Sequence, residues 1–288
     1  MTATMAHCAR LRSCTVAALL LAVSCVAWSQ QATPFVLAVH PYLPSEEIIR
    51  RFTPLADYLG QRLGRPVRVR VGRDYEDHLS AIGGDRVDIA YMGPAPYTQL
   101  VARYGRRPLL VRIETLGKPY LSGVIFARQD GPVHELKDLA GKRFAFGDPA
   151  STMGSQLPQY LLLKSGIGLG QLAHYDHVLS HNNVIMGVLA GDFDAGAVRR
   201  DVFDEAAHRG LRVVAELPQV SEHLFVTRSD LPEPDIQVLR EALLALKSSP
   251  EGPGVLHAMG AEVTGMVPVA DADYDSLRGI LRTLSGSR

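Results

Sequence analysis

The chain has 288 residues, of which 47% are hydrophobic and 21% are charged, and its mean hydropathy is +0.04. These values are typical of a globular protein with enough residues for a large core in one or two domains. The 30 basic and 30 acidic side chains give a formal net charge of +0, so no overall field attracts nucleic acid or an anionic membrane. Any anion that the protein binds must therefore be held by local geometry.

Residues 1–29 are predicted to be a secretory signal peptide. Two arginines precede the apolar run CTVAALLLAVSCVAW, which is short for a membrane span and ends in small residues. Cleavage is expected before Gln30 and would release the protein into the periplasm; lipidation of Cys25 is the alternative. All the cysteines lie in this segment, at Cys8, Cys14 and Cys25. The mature chain would then lack a cysteine nucleophile and a thiolate metal site.

The first part of the mature chain alternates strand and helix patterns. FVLAVHPY predicts a buried parallel strand, and SEEIIRRFTPLADYLGQRLG follows with apolar residues at helical spacing, from an N-cap at Ser45 to a stop at Gly64. PVRVRVG predicts a strand, YEDHLSAIGGD a short helix and VDIAYMGP another buried strand. This βαβαβ order indicates a parallel sheet with right-handed crossovers.

The second part repeats the alternation. Strands are predicted at YLSGVIFARQ, KRFAFGDP, HYDHVLS, FDAGAVRR, LRVVAEL and HLFVTRS, with helices between and after them at VHELKDLAG, SQLPQYLLLKSG, NNVIMGVLAGD, DVFDEAAHRG, PDIQVLREALLALKSSP and EGPGVLHAMG. We predict an α/β protein of two lobes, each a mainly parallel sheet flanked by helices. Lobe 1 would comprise 30–121 and 223–288, and lobe 2 would comprise 122–222. Two connections between the lobes would leave a hinged cleft for a ligand.

The segment FGDPASTMGSQLPQYLLLKSG is the leading candidate for a binding site. It passes from a strand through a turn into a helix whose first N–H groups have no intrahelical acceptor. Ser151, Thr152 and Ser155 add hydroxyls, Met153 lies between them, and Gly154 lets a ligand approach the backbone. Such a helix start binds tetrahedral oxyanions. The alternative is a plain N-cap by Ser151 or Thr152.

DIAYMGPAPYTQL has the same layout in the first half. A buried strand ends at Met92, Gly93 and Pro94, and a helix starts at once, with proline suited to its first turn. The alternative is a strand-to-helix turn without a functional role. We expect the two turns to face each other across the cleft.

Five further side chains lie at or near strand ends. His181 is a candidate donor to an anion, and Asp201 is a candidate acceptor for a proton or an ammonium group of the ligand. Helix capping is the alternative for both. Tyr42, Tyr75 and Tyr120 are candidate neutral donors, and half-buried packing is the alternative.

Signatures of enzymes and of resident cofactors are missing from the sequence. It has no G-x-S-x-G elbow, no H-E-x-x-H pair, no P-loop lysine motif, and no G-x-G-x-x-G after the first strand. The pair His174 and His177 lies in a strand-like stretch, where the two rings would point to opposite faces. The sequence therefore predicts a binding protein with no cofactor and no metal.

The chain resembles the phosphonate-binding proteins of ABC transport systems, which have the type II periplasmic binding fold. The segments that carry the likeness are DIAYMGPAPY, FAFGDPASTMGS and HNNVIMGVLAGDFDAGAV, together with the exported N-terminus. The resemblance implies that Ser151 and Thr152 bind a phosphoryl group through hydroxyl and backbone groups, and that His181 donates from the same lobe. It also places Tyr75 and Tyr120 against the ligand.

The resemblance also concerns two acidic residues, and the sequence departs from the family pattern at one position. It places Asp201 where an acidic residue contacts a ligand's amino group, and Glu222 near a second acidic contact of some members. The family often has a serine after Ser-Thr, whereas here Met153 intervenes and the next hydroxyl is that of Ser155. The backbone cradle is kept, but one hydroxyl donor is missing.

The expected function is that of an exported solute-binding protein. It would capture a phosphonate or phosphite between its lobes and present it to an ABC permease in the inner membrane, without a chemical step. The alternative is a periplasmic sensor subunit that reports a ligand to a membrane histidine kinase.

Overall fold

The computed structural model describes residues 34–286, so the predicted signal peptide lies outside the described part. The described residues belong to one compact unit that begins at Pro34. Its strands are β1 Phe35–Val39, β2 Val67–Val71, β3 Ile89–Met92, β4 Leu109–Thr115, β5 Tyr120–Leu121, β6 Gly123–Arg128, β7 Arg143–Phe146, β8 His174–His177, β9 Ala195–Arg199, β10 Leu211–Glu216, β11 Val220–Ser221, β12 Leu224–Thr227 and β13 Val263–Val267.

The helices lie between and after these strands. They are α1 Ser45–Leu63, α2 Tyr75–Gly83, α3 Pro94–Tyr104, α4 Leu157–Lys164, α5 His181–Ala190, α6 Arg200–Ala206, α7 Glu233–Ala245, α8 Gly252–Met259 and α9 Asp275–Gly286. Single turns of 3-10 helix occur at Leu136–Leu139, Leu169–Gln171, Ala207–Arg209 and Asp271–Tyr274, and a π-helical turn at Thr152–Gln156 leads into α4.

The strands form two main sheets. The first has the order β13-β4-β12-β3-β1-β2, and the second has the order β10-β6-β9-β7-β8. The short pair β5 and β11 lies where the chain passes between them. In both sheets the parallel strands are joined to antiparallel ones: β1 pairs in parallel with β2 and β3, whereas β12 runs antiparallel to β3 and β4. In the second sheet β7 is parallel to β8 and β9, whereas β6 is antiparallel to β9 and β10. The sheets are therefore mixed rather than mainly parallel.

The environment of β1, which lies between β3 and β2, explains why its sequence is apolar throughout. Leu37 and Val39 pack with Phe52 of α1 on one face, while Ala38 packs with Leu79 of α2 on the other. A strand covered by helices on both faces needs apolar residues at every position. The helix α1 ends where the sequence predicts.

Several element boundaries differ from the expectations. Pro44, not Ser45, is the N-cap of α1, and Ser45 is its first helical residue. The predicted strand YLSGVIFARQ is divided into β5 and β6, and VHELKDLAG contains only a 3-10 turn. Neither β4 nor β13 was expected as an element, and the chain continues past α8 into α9. The last helix packs against both α3 and α4.

The assignment of residues to two lobes stays a proposal that rests on the two separate sheets. Strands up to 115 and from 224 onward build the first sheet, and strands between 123 and 216 build the second. Among residues 34–286, no helix combines the length and the apolar character that a membrane crossing needs.

Candidate anion site between the two sheets

The turn between β7 and α4 is built as the sequence suggests, with one change in its helix. The Gly147 N–H donates to the Gly154 carbonyl oxygen at 2.8 Å, which folds the turn back on the end of the strand. Ser151 has extended backbone and is the N-cap, because its Oγ accepts from the Gly154 N–H at 3.1 Å. The first turn after it, Thr152–Gln156, is π-helical. Wide turns of this kind are frequent at functional sites.

This capped turn leaves two backbone donors without acceptors. The Ser151 N–H donates to the Asp148 carbonyl oxygen, and the Ser155 N–H donates to the Ser151 carbonyl oxygen. Among the hydrogen bonds of residues 34–286, none uses the N–H of Thr152 or of Met153. The turn is therefore an N-cap that still has free donors, so capping and anion binding do not exclude each other.

A small cavity of about 10 Å³ lies at this turn, between the two sheets. It lies beyond the carboxyl ends of the parallel strands β1, β3, β7 and β9, so it meets the turns that follow them. The residues that line it are His40, Tyr42, Tyr75, Gly93, Pro96, Leu121, Ser151, Thr152, Met153, His181, Arg199 and His223.

Direct contacts join the two sides of the cavity. The Ala95 N–H, in the first turn of α3, donates to Thr152 Oγ1 at 3.0 Å. The His181 N–H donates to the Tyr42 carbonyl oxygen at 3.3 Å. The chain therefore has its two halves closed on each other at the predicted cleft.

A buried cation is part of the cavity wall. Arg199, at the end of β9, has a side chain that is 12% exposed and makes a two-pronged ion pair with Asp201: Nε to Oδ1 at 3.0 Å and Nη2 to Oδ2 at 2.9 Å. Its Nη1 is buried and makes no hydrogen bond within the described part of the chain. Although burial alone would raise it, the Arg199 charge holds the pKa of Asp201 below its ordinary value. Arg199 and Asp201 are thus both ionised, and Nη1 of Arg199 has no hydrogen-bond partner in the described chain.

His223 and Glu222 form a second buried pair beside the cavity. His223 Nδ1 lies 2.6 Å from Glu222 Oε1, and Thr115 Oγ1 donates to Glu222 Oε2 at 3.1 Å. Burial lowers the pKa of His223 more than Glu222 raises it. Against the effect of burial, the hydrogen bond from His223 lowers the pKa of Glu222. The stable form is a neutral imidazole that donates from Nδ1 to a carboxylate.

The remaining histidines of the cavity are also neutral near pH 7. Burial, followed by the Arg199 charge, lowers the pKa of His181 to about 3, and its Nδ1 is buried without a hydrogen bond within residues 34–286. Burial and the neighbouring histidines place the pKa of His40 well below its ordinary value. His40 Nδ1 lies 3.2 Å from the Tyr91 carbonyl oxygen. Hence Arg199 is the one charged side chain among the described residues that line the cavity.

The structure brings together seven of the thirteen site residues predicted from the sequence. These are Tyr42, Tyr75, Gly93, Ser151, Thr152, Met153 and His181. Tyr75 reaches across to Ser151, whose side-chain hydrogen bond opposes the rise that burial causes in the pKa of Tyr75. Met153 packs beside Gly123, where an added Cβ would lie 2.9 Å from the sulfur.

The other six predicted residues do not line this cavity. Tyr120 is 50% exposed, and its neighbour Leu121 is the residue that faces the cavity. Ser155 is buried and accepts from Gln159 Nε2 at 2.9 Å. Gly154 gives room to the turn itself, Met92 is in the core and Pro94 begins α3, while Asp201 is turned toward Arg199.

Sequence reasoning missed the positive charge of Arg199 and the imidazoles of His40 and His223 in the cavity wall. His40 directly follows the parallel strand β1 and Arg199 ends the parallel strand β9, so the strand-end rule that selected the serine turn could also have found them. His223 precedes the antiparallel strand β12, which this rule does not cover.

A wider groove opens next to the cavity. Its lining includes Asp74, Arg103 and Asp148, and it shares Tyr75 and Pro96 with the cavity. Burial, followed by the Asp74 charge, raises the pKa of Asp148. Tyr75 and Pro96 therefore stand between an acidic outer groove and the donor-rich cavity. In residues 34–286, no group of three or more His, Cys, Asp or Glu side chains could hold a metal ion.

Two sheets flanked by helices, with a small polar cavity between them, define a solute-binding protein of the two-lobed α/β class. The sequence profile of "ABC transporter, phosphonate, periplasmic substrate-binding protein" matches residues 37–274, so the chain belongs to that family. The family is a substrate-binding component of transporters, and membership implies a periplasmic location. The likeness that the sequence motifs indicated is confirmed.

Individual relatives agree with the family. The chain is 26% identical over 268 residues to the "Phosphate-import protein PhnD" of Mycolicibacterium smegmatis, covering 85% of this chain and 84% of that protein. It is 23% identical over 221 residues to the "Phosphonates-binding periplasmic protein" of Escherichia coli, covering 73% and 65%. The structure of PhnD1 from Prochlorococcus marinus in complex with methylphosphonate superposes with a TM-score of 0.80, at 19% identity, over 87% of this chain and 98% of that one. The expected fold class is thereby confirmed.

Proposed function

We propose that the mature chain captures a small phosphorus oxyanion, a phosphonate or phosphite, in the cavity between its sheets and delivers it to an ABC permease in the inner membrane. Three relatives support this proposal by name: one is a phosphate-import protein, one a phosphonates-binding periplasmic protein and one was crystallised with methylphosphonate. The protein would bind and release its ligand without a chemical step.

The observation that carries the proposal is the convergence of unused donors on one buried cavity. The N–H groups of Thr152 and Met153 and Nη1 of Arg199 lack acceptors within residues 34–286, and Nδ1 of His181 lacks a hydrogen-bond partner there. A buried donor without an acceptor costs about 1 to 3 kcal/mol. Nitrogens of a backbone turn, a guanidinium and an imidazole together suit an anion with several oxygens.

Thr152 has a role that a capping residue alone would not have. Its Oγ1 already accepts from the Ala95 N–H, and a hydroxyl carries one further proton to donate. That proton is available to a ligand oxygen while the acceptor side joins the two halves of the protein. Thr152 thus links ligand contact to closure.

Ligand binding would favour the closed state through contacts that only this state provides. The ligand would touch Thr152 and Met153 from one side and Tyr42 and Tyr75 from the other. An equilibrium moves only by the difference in affinity for its two states. The permease would then recognise the closed protein.

Calorimetry on the protein without residues 1–29 tests the proposal, with phosphite, methylphosphonate, phosphate and sulfate as ligands. We expect binding of at least one phosphorus oxyanion. Replacement Thr152→Ala should weaken it by roughly 1 to 3 kcal/mol. The matched control is Thr283→Ala, because Thr283 is exposed and bonds only to its own helix. If none of the phosphorus oxyanions produced heat, the proposed function would be wrong.

Transport is favoured over sensing, because the matching family consists of transporter components. Genes for a permease and an ATPase beside the coding sequence would support uptake, and a histidine kinase gene would support the alternative. Stimulation of permease ATPase activity by the loaded protein is the direct measurement.

Export is the remaining part of the proposal. Processing before Gln30 leaves a mature protein that starts at that residue, whereas lipidation leaves Cys25 at the new N-terminus. Mass spectrometry of the protein recovered from the periplasm distinguishes the two products.

A further inference from the structure

On the basis of the proposed function, we propose that Arg199, held in place by Asp201, restricts the ligand to oxyanions without an ammonium group, so that aminoalkylphosphonates are excluded. In the same cavity, Asp201 would then orient Arg199 and would not contact an amino group of the ligand, which is the role that the sequence resemblance implied for it.

The geometry of Arg199 fixes its charge at the cavity wall. Asp201 takes up Nε and Nη2, at 3.0 and 2.9 Å, and the guanidinium carbon lies 5.2 Å from the ring centre of Tyr42. Nη1 remains without an acceptor. A planar guanidinium pinned on one edge by a carboxylate presents its other edge in a fixed orientation. This edge can bind a ligand oxygen, and it repels a cation.

Both carboxylates near the cavity are already occupied. Asp201 is paired with Arg199 on both oxygens. Glu222 accepts from His223 Nδ1 at 2.6 Å, from the His223 N–H at 2.9 Å and from Thr115 Oγ1 at 3.1 Å. Neither carboxylate is among the lining residues given for the cavity. An ammonium group in the cavity would therefore find no anionic partner there.

The other titratable groups of the cavity wall act in the same direction. His40, His181 and His223 come from different elements and are neutral because burial lowers their pKa values. A bound anion would favour a proton on these rings, whereas a bound cation would oppose it. Tyr42 and Tyr75, the lining tyrosines, are neutral as well because burial raises their pKa values.

The wider groove outside the cavity offers an alternative position for the ammonium group of a ligand. Asp74 and Asp148 lie there, on the far side of Tyr75 and Pro96. A ligand that extended past Tyr75 could place its ammonium beside these carboxylates and escape the repulsion. The ligand pair used in the test must therefore differ only in the ammonium group.

Ethylphosphonate and 2-aminoethylphosphonate form this matched pair, and titration calorimetry measures the affinity of each for the wild-type protein. We expect ethylphosphonate to bind at least about 100-fold more tightly, because like charges placed together in a desolvated site are strongly unfavourable. The variant Arg199→Gln removes the repelling charge and frees Asp201. It should weaken ethylphosphonate binding about 10- to 100-fold and bring the ratio of the two affinities close to one.

Arg143→Gln is the matched control. Arg143 makes the same kind of two-pronged pair, with Asp194 at 3.2 and 2.8 Å, at the start of β7 and away from the cavity. This variant should leave both affinities unchanged. Arg199→Lys is a second test if Arg199→Gln does not fold: it keeps the charge, so binding should weaken while the preference for ethylphosphonate persists.

The outcomes separate this inference from the proposed function. Equal affinity of the wild type for the two ligands would overturn the inference alone and would point to the outer groove as the site of the ammonium group. An Arg199→Gln variant that weakened both ligands by the same factor would overturn it too. Failure of every phosphorus oxyanion to bind would overturn the proposed function, and this inference with it.

Discussion

The two strand-to-helix turns at the cavity look alike in sequence but differ in the donors that they offer. In the turn that opens α3, Pro94 and Pro96 have no N–H. The Ala95 N–H donates to Thr152 Oγ1, and the Tyr97 N–H is bonded within its own turn. This helix start has no backbone donor left in its first turn, so it serves as a wall of the cavity.

The turn that leads into α4 is the opposite case. Ser151 caps it through a side chain, and the N–H groups of Thr152 and Met153 have no acceptor within residues 34–286. N-terminal helix ends face the cavity from both sides, but of these two only the turn into α4 has N–H groups without acceptors within its first helical turn. The presence of a helix N-terminus is therefore not enough to predict an anion site. The prediction also requires N–H groups that have no acceptor within the protein.

The largest effect is expected from Thr152→Pro, which removes a backbone donor from the turn into α4 and so makes it resemble the proline-containing turn that opens α3. Proline fits the first helical position, and Ser151 has the extended backbone that a following proline requires, with φ −65° and ψ 131°. The variant loses both the N–H and the hydroxyl at this position. We expect about a 1,000-fold loss of oxyanion affinity by calorimetry, since each bond to a charged ligand contributes about 1.5 to 3 kcal/mol.

Thr152→Val separates the two groups, because it keeps the N–H and the shape of the side chain. Its loss should be only about 10- to 100-fold. Equal losses for Thr152→Val and Thr152→Pro would contradict a ligand role for the backbone N–H. The melting temperatures of both variants without ligand check that they are folded.

A smaller loss is expected at His181, which lines the cavity next to the donor turn. The residue is 3% exposed and its Nδ1 lacks a hydrogen-bond partner in the described chain. His181→Gln keeps a polar side chain but removes the imidazole, and it should weaken binding about 10-fold. His257→Gln, on an exposed position of α8, is the matched control and should bind as the wild type does. Unchanged affinity of His181→Gln would show that His181 only packs.

The same histidine makes the free energy of unfolding depend on pH. Burial and the Arg199 charge lower the pKa of His181 to about 3, whereas an unfolded histidine titrates near 6.5. Between these values the unfolded state binds more protons, so stability falls as the pH falls below about 6.5. We expect a loss of about 1 kcal/mol from His181 at pH 5.5 in urea titrations.

His181→Gln should reduce this pH dependence by the His181 share, while the other buried histidines keep theirs, and the exposed His257→Gln should not change it. Saturating oxyanion should also reduce the slope, since an anion favours the protonated ring. A wild-type stability that stayed constant from pH 7 to pH 5.5 would argue against a neutral buried His181.

The sequence predicted the parts of the fold that repeat a simple pattern. The apolar run of β1 follows from burial of the strand on both faces, and the amphipathic pattern of α1 follows from burial of the helix on one face. Strands β4 and β13 were missed because their role depends on antiparallel pairing with segments far away in the chain. Val263 pairs opposite Thr115, which no local pattern shows.

The candidate site was predictable where its chemistry is local. The serine turn was a candidate from its residues, since capping residues and a glycine follow a buried strand. The similar turn at Met92, Gly93 and Pro94, together with the family resemblance, favoured a binding role over capping alone. Arg199 and His223 were not found, because their positions in the cavity wall depend on neighbouring side chains. Asp201 orients Arg199, and Glu222 orients His223. Tyr120 was placed near the ligand on resemblance, whereas the pairing of β5 with β11 turns Leu121 to the cavity instead.

The smallest effect is expected from the reverse exchange, Pro94→Ala, which adds an N–H to the turn that serves as a wall. Proline and alanine both suit a first helical position, and Pro94 itself does not line the cavity. We expect oxyanion affinity to stay within about twofold of the wild type by calorimetry, because a kilocalorie per mole would already give about a fivefold change. A tenfold gain would mean that the new N–H reaches the ligand, and both helix starts would then have to be counted as donors.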